Sequence, residues 1–183
     1  MMKEYTGRLS ASNSKDYSMS ASELWDLIST QENLNPCHPF CDSNEVISWE
    51  DDNHSDRLVY LNGRDYTRNF LTWDEGVGYT LVIGSEGGPL SYVEWKITAL
   101  GEDSSNLTIT VYPYILAKLP KILAFLPHKL WVQPRMTNYL HSVLSGFEYF
   151  SKTGESVPRN HFGKHPWFLS LIHISEPTRH ERI

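Results

Sequence analysis

A chain of 183 residues, 40% hydrophobic and 21% charged, is long enough for one domain with a substantial core. Its net charge of −6, with no basic stripe carrying interleaved aromatics, argues against nucleic acid as a partner. Two cysteines, Cys37 and Cys41, make no disulfide framework. The first residues lack the apolar run of a secretory signal, and the greasy stretch 114–127 is short and broken by Lys118, Pro120 and Lys121, so a cytoplasmic protein is expected.

The chain opens with a predicted strand over 4–12, where Tyr5, Leu9 and Ala11 share one face. A helix follows. Ser20 and Glu23 are spaced as a capping box, and Leu24, Trp25, Leu27 and Ile28 form its apolar side. Asn35-Pro36 and His38-Pro39 end helical structure and mark a second short turn.

From residue 45 the period changes to two. Short strands are predicted over 45–50, 57–61, 64–73, 78–84, 91–100 and 106–115. Asn62-Gly63 is the strongest hairpin signal in the chain. Read as a two-residue turn, it pairs Leu61 with Arg64, Val59 with Tyr66 and Arg57 with Arg68. Short turns between consecutive strands require antiparallel pairing.

The C-terminal part is helical. Met136, Tyr139, Leu140, Val143, Leu144, Phe147 and Phe150 recur at three- and four-residue steps, Pro134 suits the first turn and Gly154 the C′ position. The order predicts an α+β domain: a curved antiparallel sheet of about seven strands around a long C-terminal helix, with two short helices after the first strand. Boundaries are expected at 1–155 for the domain and 156–168 for a C-terminal extension. Residues 169–183 stand apart, because the eleven from Leu169 to Arg179 resemble an in-frame translation of a transposase sequencing adapter.

This order resembles the START-like, or SRPBCC, superfamily of helix-grip proteins, and within it bacterial polyketide cyclase/dehydrase-like members. The residues that carry the resemblance are His38-Pro39-Phe40-Cys41, Asn44-Glu45-Val46, Asn62-Gly63, Tyr66 with Arg68, and 159–168. The resemblance implies a cavity for a hydrophobic small molecule between sheet and helix. It implies no reaction, because such a fold hosts carriers, sensors and enzymes alike.

Tyr66, Arg68, Phe70, Trp95, Tyr139, Val143 and Phe147 are the expected ligand-binding residues. Both faces of the Tyr66/Arg68 strand are half apolar, so the pattern does not choose which faces the helix. If Arg68 points inward it needs a carboxylate, such as Glu45, Glu50 or an acid group of the ligand; if outward, it is a surface arginine. Were the protein a cyclase, His38, Tyr66 and Arg68 would be the catalytic candidates. Cys37-His38-x-x-Cys41 has thiolate and imidazole groups but lacks the second ligand pair of a zinc site, so no metal is expected, and no motif implies a cofactor. Residues 118–131 are basic and amphipathic. They read either as a lid making transient membrane contact or as a loop laying its apolar side over the sheet's end. The leading expectation is a carrier or sensor of a hydrophobic small molecule. The alternatives are a polyketide cyclase/dehydratase and a protein-interaction module, the last requiring a filled cavity and a large exposed apolar patch.

Overall fold

The computed structural model describes residues 2–50 and 53–168; the adapter-like stretch 169–183 lies outside the described residues. Helix α1 (Met2–Thr6) is followed by β1 (Ala11–Tyr17), α2 (Ala21–Ser29) and α3 (Leu34–Cys37). Six strands come next: β2 (Cys41–Glu50), β3 (Asn53–Tyr60), β4 (Asp65–Asp74), β5 (Gly78–Gly84), β6 (Ser91–Gly101) and β7 (Ser104–Tyr112). Helix α4 (Lys121–Pro127), a π-helical turn (His128–Val132) and the long α5 (Gln133–Thr153) complete the regular structure.

The seven strands form one antiparallel sheet in the order β1-β7-β6-β5-β4-β3-β2. Register shifts within the β2–β3, β4–β5 and β6–β7 pairs mark β-bulges, which bend the sheet. Helix α5 lies along the concave face, giving the helix-grip arrangement. It buries Met136, Leu140, Val143, Leu144 and Phe147 against inward-facing Trp95, Leu107, Ile109 and Val111. Tyr17 donates its hydroxyl to the Leu144 carbonyl (2.7 Å), tying β1 to the helix. Gly146 lets α5 approach α3: a Cβ there would stand 2.0 Å from the Cys37 carbonyl oxygen.

Local signals placed the helices. The Ser20–Glu23 capping box forms as expected. Gly154 adopts φ 69° and donates its N–H to the Phe150 carbonyl (2.8 Å), closing α5. The N-terminus departs from expectation. Residues 2–6 are helical, and the first strand is Ala11–Tyr17 instead. That strand reads Ala-Ser-Asn-Ser-Lys-Asp-Tyr, poor in β-formers, and is an edge strand held by its ladder to β7.

The Asn62-Gly63 hairpin also differs. Tyr60 and Arg64 close it, with the Tyr60 N–H donated to the Arg64 carbonyl, so the loop has three residues. Gly63 takes φ 79°, and Asn62 Oδ1 accepts the Arg64 N–H (3.1 Å). This is the type I turn plus left-handed glycine alternative to a two-residue turn. Pairing therefore runs Leu58 with Tyr66, Arg57 with Thr67 and Asp56 with Arg68, one residue from the expected register. A one-residue slip exchanges a strand's faces relative to its neighbour. Asp56, Leu58 and Tyr60 thus share the concave face with Tyr66 and Arg68, where Val59 and Leu61 were expected.

Residues 156–168 pack on the domain. Val157 and Asn160 donate their N–H groups to the carbonyls of Pro36 and Pro39, and Asn62 Nδ2 donates to the Trp167 carbonyl (2.8 Å). The segment ends with Phe168 buried against Tyr60 and Phe40. None of the described helices is long and apolar enough to cross a membrane.

Candidate functional site

Between sheet and α5 lies a cavity of about 250 Å³. Its walls are mostly apolar: Leu58 on β3, Leu81 and Ile83 on β5, Val93 and Trp95 on β6, Ile109 and Val111 on β7, and Met136, Leu140 and Val143 on α5. Such alternate inward positions are what a half-buried sheet supplies. Phe168 and Trp167 cover one side, and Tyr114, Ile115 and Trp131 stand where the chain runs from β7 towards α5.

The polar groups are few and cluster on one side. Arg68 is 4% exposed and Asp56 is fully buried. Arg68 Nε donates to Asp56 Oδ1 (2.7 Å) and its Nη2 donates to Oδ2. This fork-to-carboxylate geometry is the strong form of an ion pair. Burial alone would lower the pKa of the Arg68 guanidinium, but Asp56, with Tyr79 and Tyr60, holds it above its ordinary value. The expected partners Glu45 and Glu50 are both exposed. Glu45 instead sits 3.8 Å from the surface cation Arg57.

His38, Tyr139 and Tyr60 form a hydrogen-bonded chain. The Phe40 N–H is donated to His38 Nδ1 (3.2 Å), so that nitrogen is an acceptor and Nε2 carries the proton of the neutral ring. Nε2 then donates to the Tyr139 hydroxyl (2.9 Å), and Tyr139 shares a hydrogen bond with the Tyr60 hydroxyl (3.1 Å). Burial, reinforced by the Arg68 cation, pushes the His38 imidazole down to about 3. Burial raises the phenols of Tyr60, Tyr139 and Tyr66. The interior of the cavity thus presents neutral hydroxyls and one self-compensated ion pair, while a second arginine of the lining, Arg64, is exposed to solvent.

The turn holding His38 occurs twice. In His38-Pro39-Phe40-Cys41 the Cys41 N–H is donated to the His38 carbonyl. In His165-Pro166-Trp167-Phe168 the Phe168 N–H is donated to the His165 carbonyl, and Nδ1 again accepts the N–H two residues on (3.3 Å). The freed Nε2 of His165 donates to the Arg135 carbonyl (2.9 Å). Proline at the second turn position presets φ, and the imidazole stands in as a backbone acceptor. Both rings meet Phe40 and Tyr139 at tilted or edge-on angles.

Of the seven expected ligand-binding residues, Tyr66, Arg68, Trp95, Tyr139 and Val143 line the cavity, as does His38. Phe70 and Phe147 do not. Phe70 belongs to an aromatic cluster with Trp49, His54, Trp73 and Tyr79. The β4 bulge between Phe70 and Thr72 falls there. Phe147 is fully buried with its edge against Trp95, one turn beyond Val143 and past the end of the cavity. Tyr60, Asp56 and Phe168 are the site residues that sequence reasoning missed. A three-residue reading of the Leu61-Asn62-Gly63 loop would have placed the first two. Cys37 and Cys41 are buried thiols raised to about 12 by burial, and no described His/Cys/Asp/Glu group is arranged to hold a metal.

Strand order, the gripped helix and the space between them give a START-like helix-grip fold with an internal apolar cavity. Solved structures share the fold. A START superfamily protein from Mycobacterium smegmatis superposes with a TM-score of 0.60 at 14% identity, covering 78% of this chain and 97% of that one. A protein from Thermus thermophilus gives 0.62 at 19% identity, covering 80% and 99%. The Zhui aromatase/cyclase from Streptomyces sp. R1128 gives 0.53 at 13% identity, covering 81% and 99%. No protein-family model and no curated protein sequence matches the chain.

Proposed function

We propose that the protein binds and carries an uncharged, largely apolar small molecule in the cavity between its sheet and α5. One observation carries this reading: the cavity is open and apolar, and its strongest polar groups are already committed to protein partners. Arg68 is neutralised by Asp56, and both His38 nitrogens are hydrogen-bonded. An ionised ligand would lose its hydration in the interior without finding a free countercharge there; Arg64, the other arginine of the lining, is exposed to solvent. Tyr60, Tyr66 and Tyr139 offer hydroxyls to orient one polar atom of the ligand, which suits a site built mainly on shape.

The cyclase reading has one observation in its favour, the Tyr60, Tyr66 and Tyr139 phenols and the Arg68 guanidinium lining one cavity, suited to polarising a carbonyl. It lacks a base. His38 Nδ1 is occupied by the Phe40 N–H and Nε2 is a donor, so no imidazole lone pair faces the cavity. The interaction-module reading required both a filled cavity and a large exposed apolar patch; apolar side chains are exposed along 122–131, but the cavity is open.

Native and denaturing mass spectrometry of the purified chain tests the proposal. A small neutral mass that leaves on denaturation supports it. A clean apo mass, with no uptake from a library of hydrophobic compounds, overturns it. Tyr60→Phe then separates carrier from enzyme: a carrier keeps its ligand, whereas turnover of a polyketide-like substrate collapsing in that variant would favour the cyclase.

A further inference from the structure

The segment 118–131 does not lay its apolar side on the sheet. Ala124, His128 and Val132, spaced four apart, form its inward stripe and are at most 5% exposed. The large apolar side chains point the other way. Ile122 is 86% exposed and Leu130 68%, with Leu123, Phe125, Leu126 and Trp131 beside them. Pro127 and Pro134 each delete an N–H from the helical ladder, and the π-helical turn lies between them. A helix apolar on nearly every side is normally buried, and a contiguous exposed patch of this kind marks an interaction surface.

We infer that this face docks the protein on an anionic lipid bilayer and holds the cavity mouth against it; the inference rests on the proposal that the cavity takes an apolar ligand. Charge selects the partner. Between Asp103 and Glu148 the sequence has no acidic residue, while Lys118, Lys121, Lys129 and Arg135 fall within that stretch of a chain whose net charge is −6. The three lysines are exposed and flank the apolar patch. Glu4 of α1 shares a side groove with Arg8, Lys121 and His128, where cations outnumber it. Apolar side chains entering the acyl boundary, with lysines among the headgroups, are the two terms that hold an in-plane helix at an anionic surface. Trp131 suits the interfacial layer.

Continuity with the cavity gives the docking a purpose. Trp131 belongs both to the patch and to the cavity lining, where Tyr114 and Ile115 join it. Its ring meets Trp167 edge-on at 5.6 Å, next to Phe168 over the cavity. A bilayer contacting α4 would lie beside the cavity entrance, so an apolar ligand could pass between them without crossing water.

Vesicle co-sedimentation with the full chain tests this. The probes are phosphatidylcholine vesicles with and without phosphatidylglycerol. The protein is expected on the anionic vesicles and not on the neutral ones. Ile122→Asp with Leu126→Asp should reduce binding at least about tenfold, as should Lys118→Glu, Lys121→Glu and Lys129→Glu combined. Ile47→Asp, at an exposed apolar residue on β2, should leave binding unchanged. Uptake of the neutral dye N-phenyl-1-naphthylamine in vesicle-free solution should be the same in all of them. Absence of vesicle binding, or binding indifferent to these variants, overturns the docking. So does a wild-type dimer that Ile122→Asp disperses, because a second copy would then cover the patch. Dye uptake without vesicle binding sinks the docking alone; loss of dye uptake in the wild type sinks the carrier reading.

Discussion

Asp56 and Arg68 face each other across the β3–β4 ladder as a buried bidentate ion pair. Each is the other's compensation for leaving water. A pair of this kind adds little over an apolar pair of equal volume, but half of it is costly, because the remaining charge stays buried alone.

Arg68→Met should therefore destabilise the fold by about 3–5 kcal/mol, since it strands the Asp56 carboxylate. Combining it with Asp56→Leu should restore most of the loss. Urea unfolding of the two variants checks this. Equal destabilisation in single and double variants would mean that Asp56 is solvated or paired elsewhere.

Tyr139→Phe removes the acceptor of His38 Nε2 and the partner of Tyr60 in one step. An unmet buried donor costs about 1–3 kcal/mol, so the unfolding midpoint should fall accordingly. The imidazole should also titrate differently, which an NMR titration of the His38 ring would register.

Acid should weaken the fold through its histidines. His38 has its folded pKa at about 3, well below the ordinary value, through burial and then Arg68. Burial also lowers His128 and His165. A group whose folded pKa lies below its unfolded one leaves the unfolded chain holding more protons as pH drops. Stability is thus retained above about pH 6.5 and lost progressively below it, for His38 down towards pH 3. Denaturant midpoints measured from pH 7 to pH 4 should decline, and His38→Gln should make that decline shallower. An unchanged slope would show that His38 is not held neutral.

Gly146→Ala should destabilise the fold by about 1–3 kcal/mol or more, although alanine is the better helix former. The added Cβ meets backbone, the Cys37 carbonyl at 2.0 Å, and the Pro39 ring at 3.0 Å. Backbone cannot rotate away, so α5 must move off α3. A thermal melt at or above wild type would refute that close approach.

Val143→Trp tests the cavity itself. The larger ring projects from α5 into space now enclosed by the sheet. Affinity for N-phenyl-1-naphthylamine should fall at least about tenfold, with only a modest change in the unfolding midpoint, because the volume filled is empty rather than packed.

Local chemistry made much of this molecule legible in the sequence. The capping box at Ser20 and Glu23 uses atoms three residues apart. The apolar spacing along α5 and the left-handed Gly154 after it need no knowledge of the rest of the chain. Alternation along 91–100 and 106–115 likewise identified two strands and, through Trp95, a wall of the cavity. What the sequence could not decide was every relation that depends on a neighbour distant in the chain. The polar strand Ala11–Tyr17 exists because β7 and α5 hold it, against its own propensity. Asp56, not Glu45 or Glu50, meets Arg68 because a three-residue loop slips the hairpin by one position, and a period of two turns that slip into a change of face. Phe70 stays in register with the cavity residue Leu81 but packs among Trp49, His54, Trp73 and Tyr79, a neighbourhood that alternation cannot show. Residues 118–131 carry apolar groups on nearly every side, so only packing could decide that Ala124, His128 and Val132 turn inward while Ile122 and Leu126 turn out. Periodicity reports that a side is greasy, whereas the tertiary structure decides what, if anything, covers it.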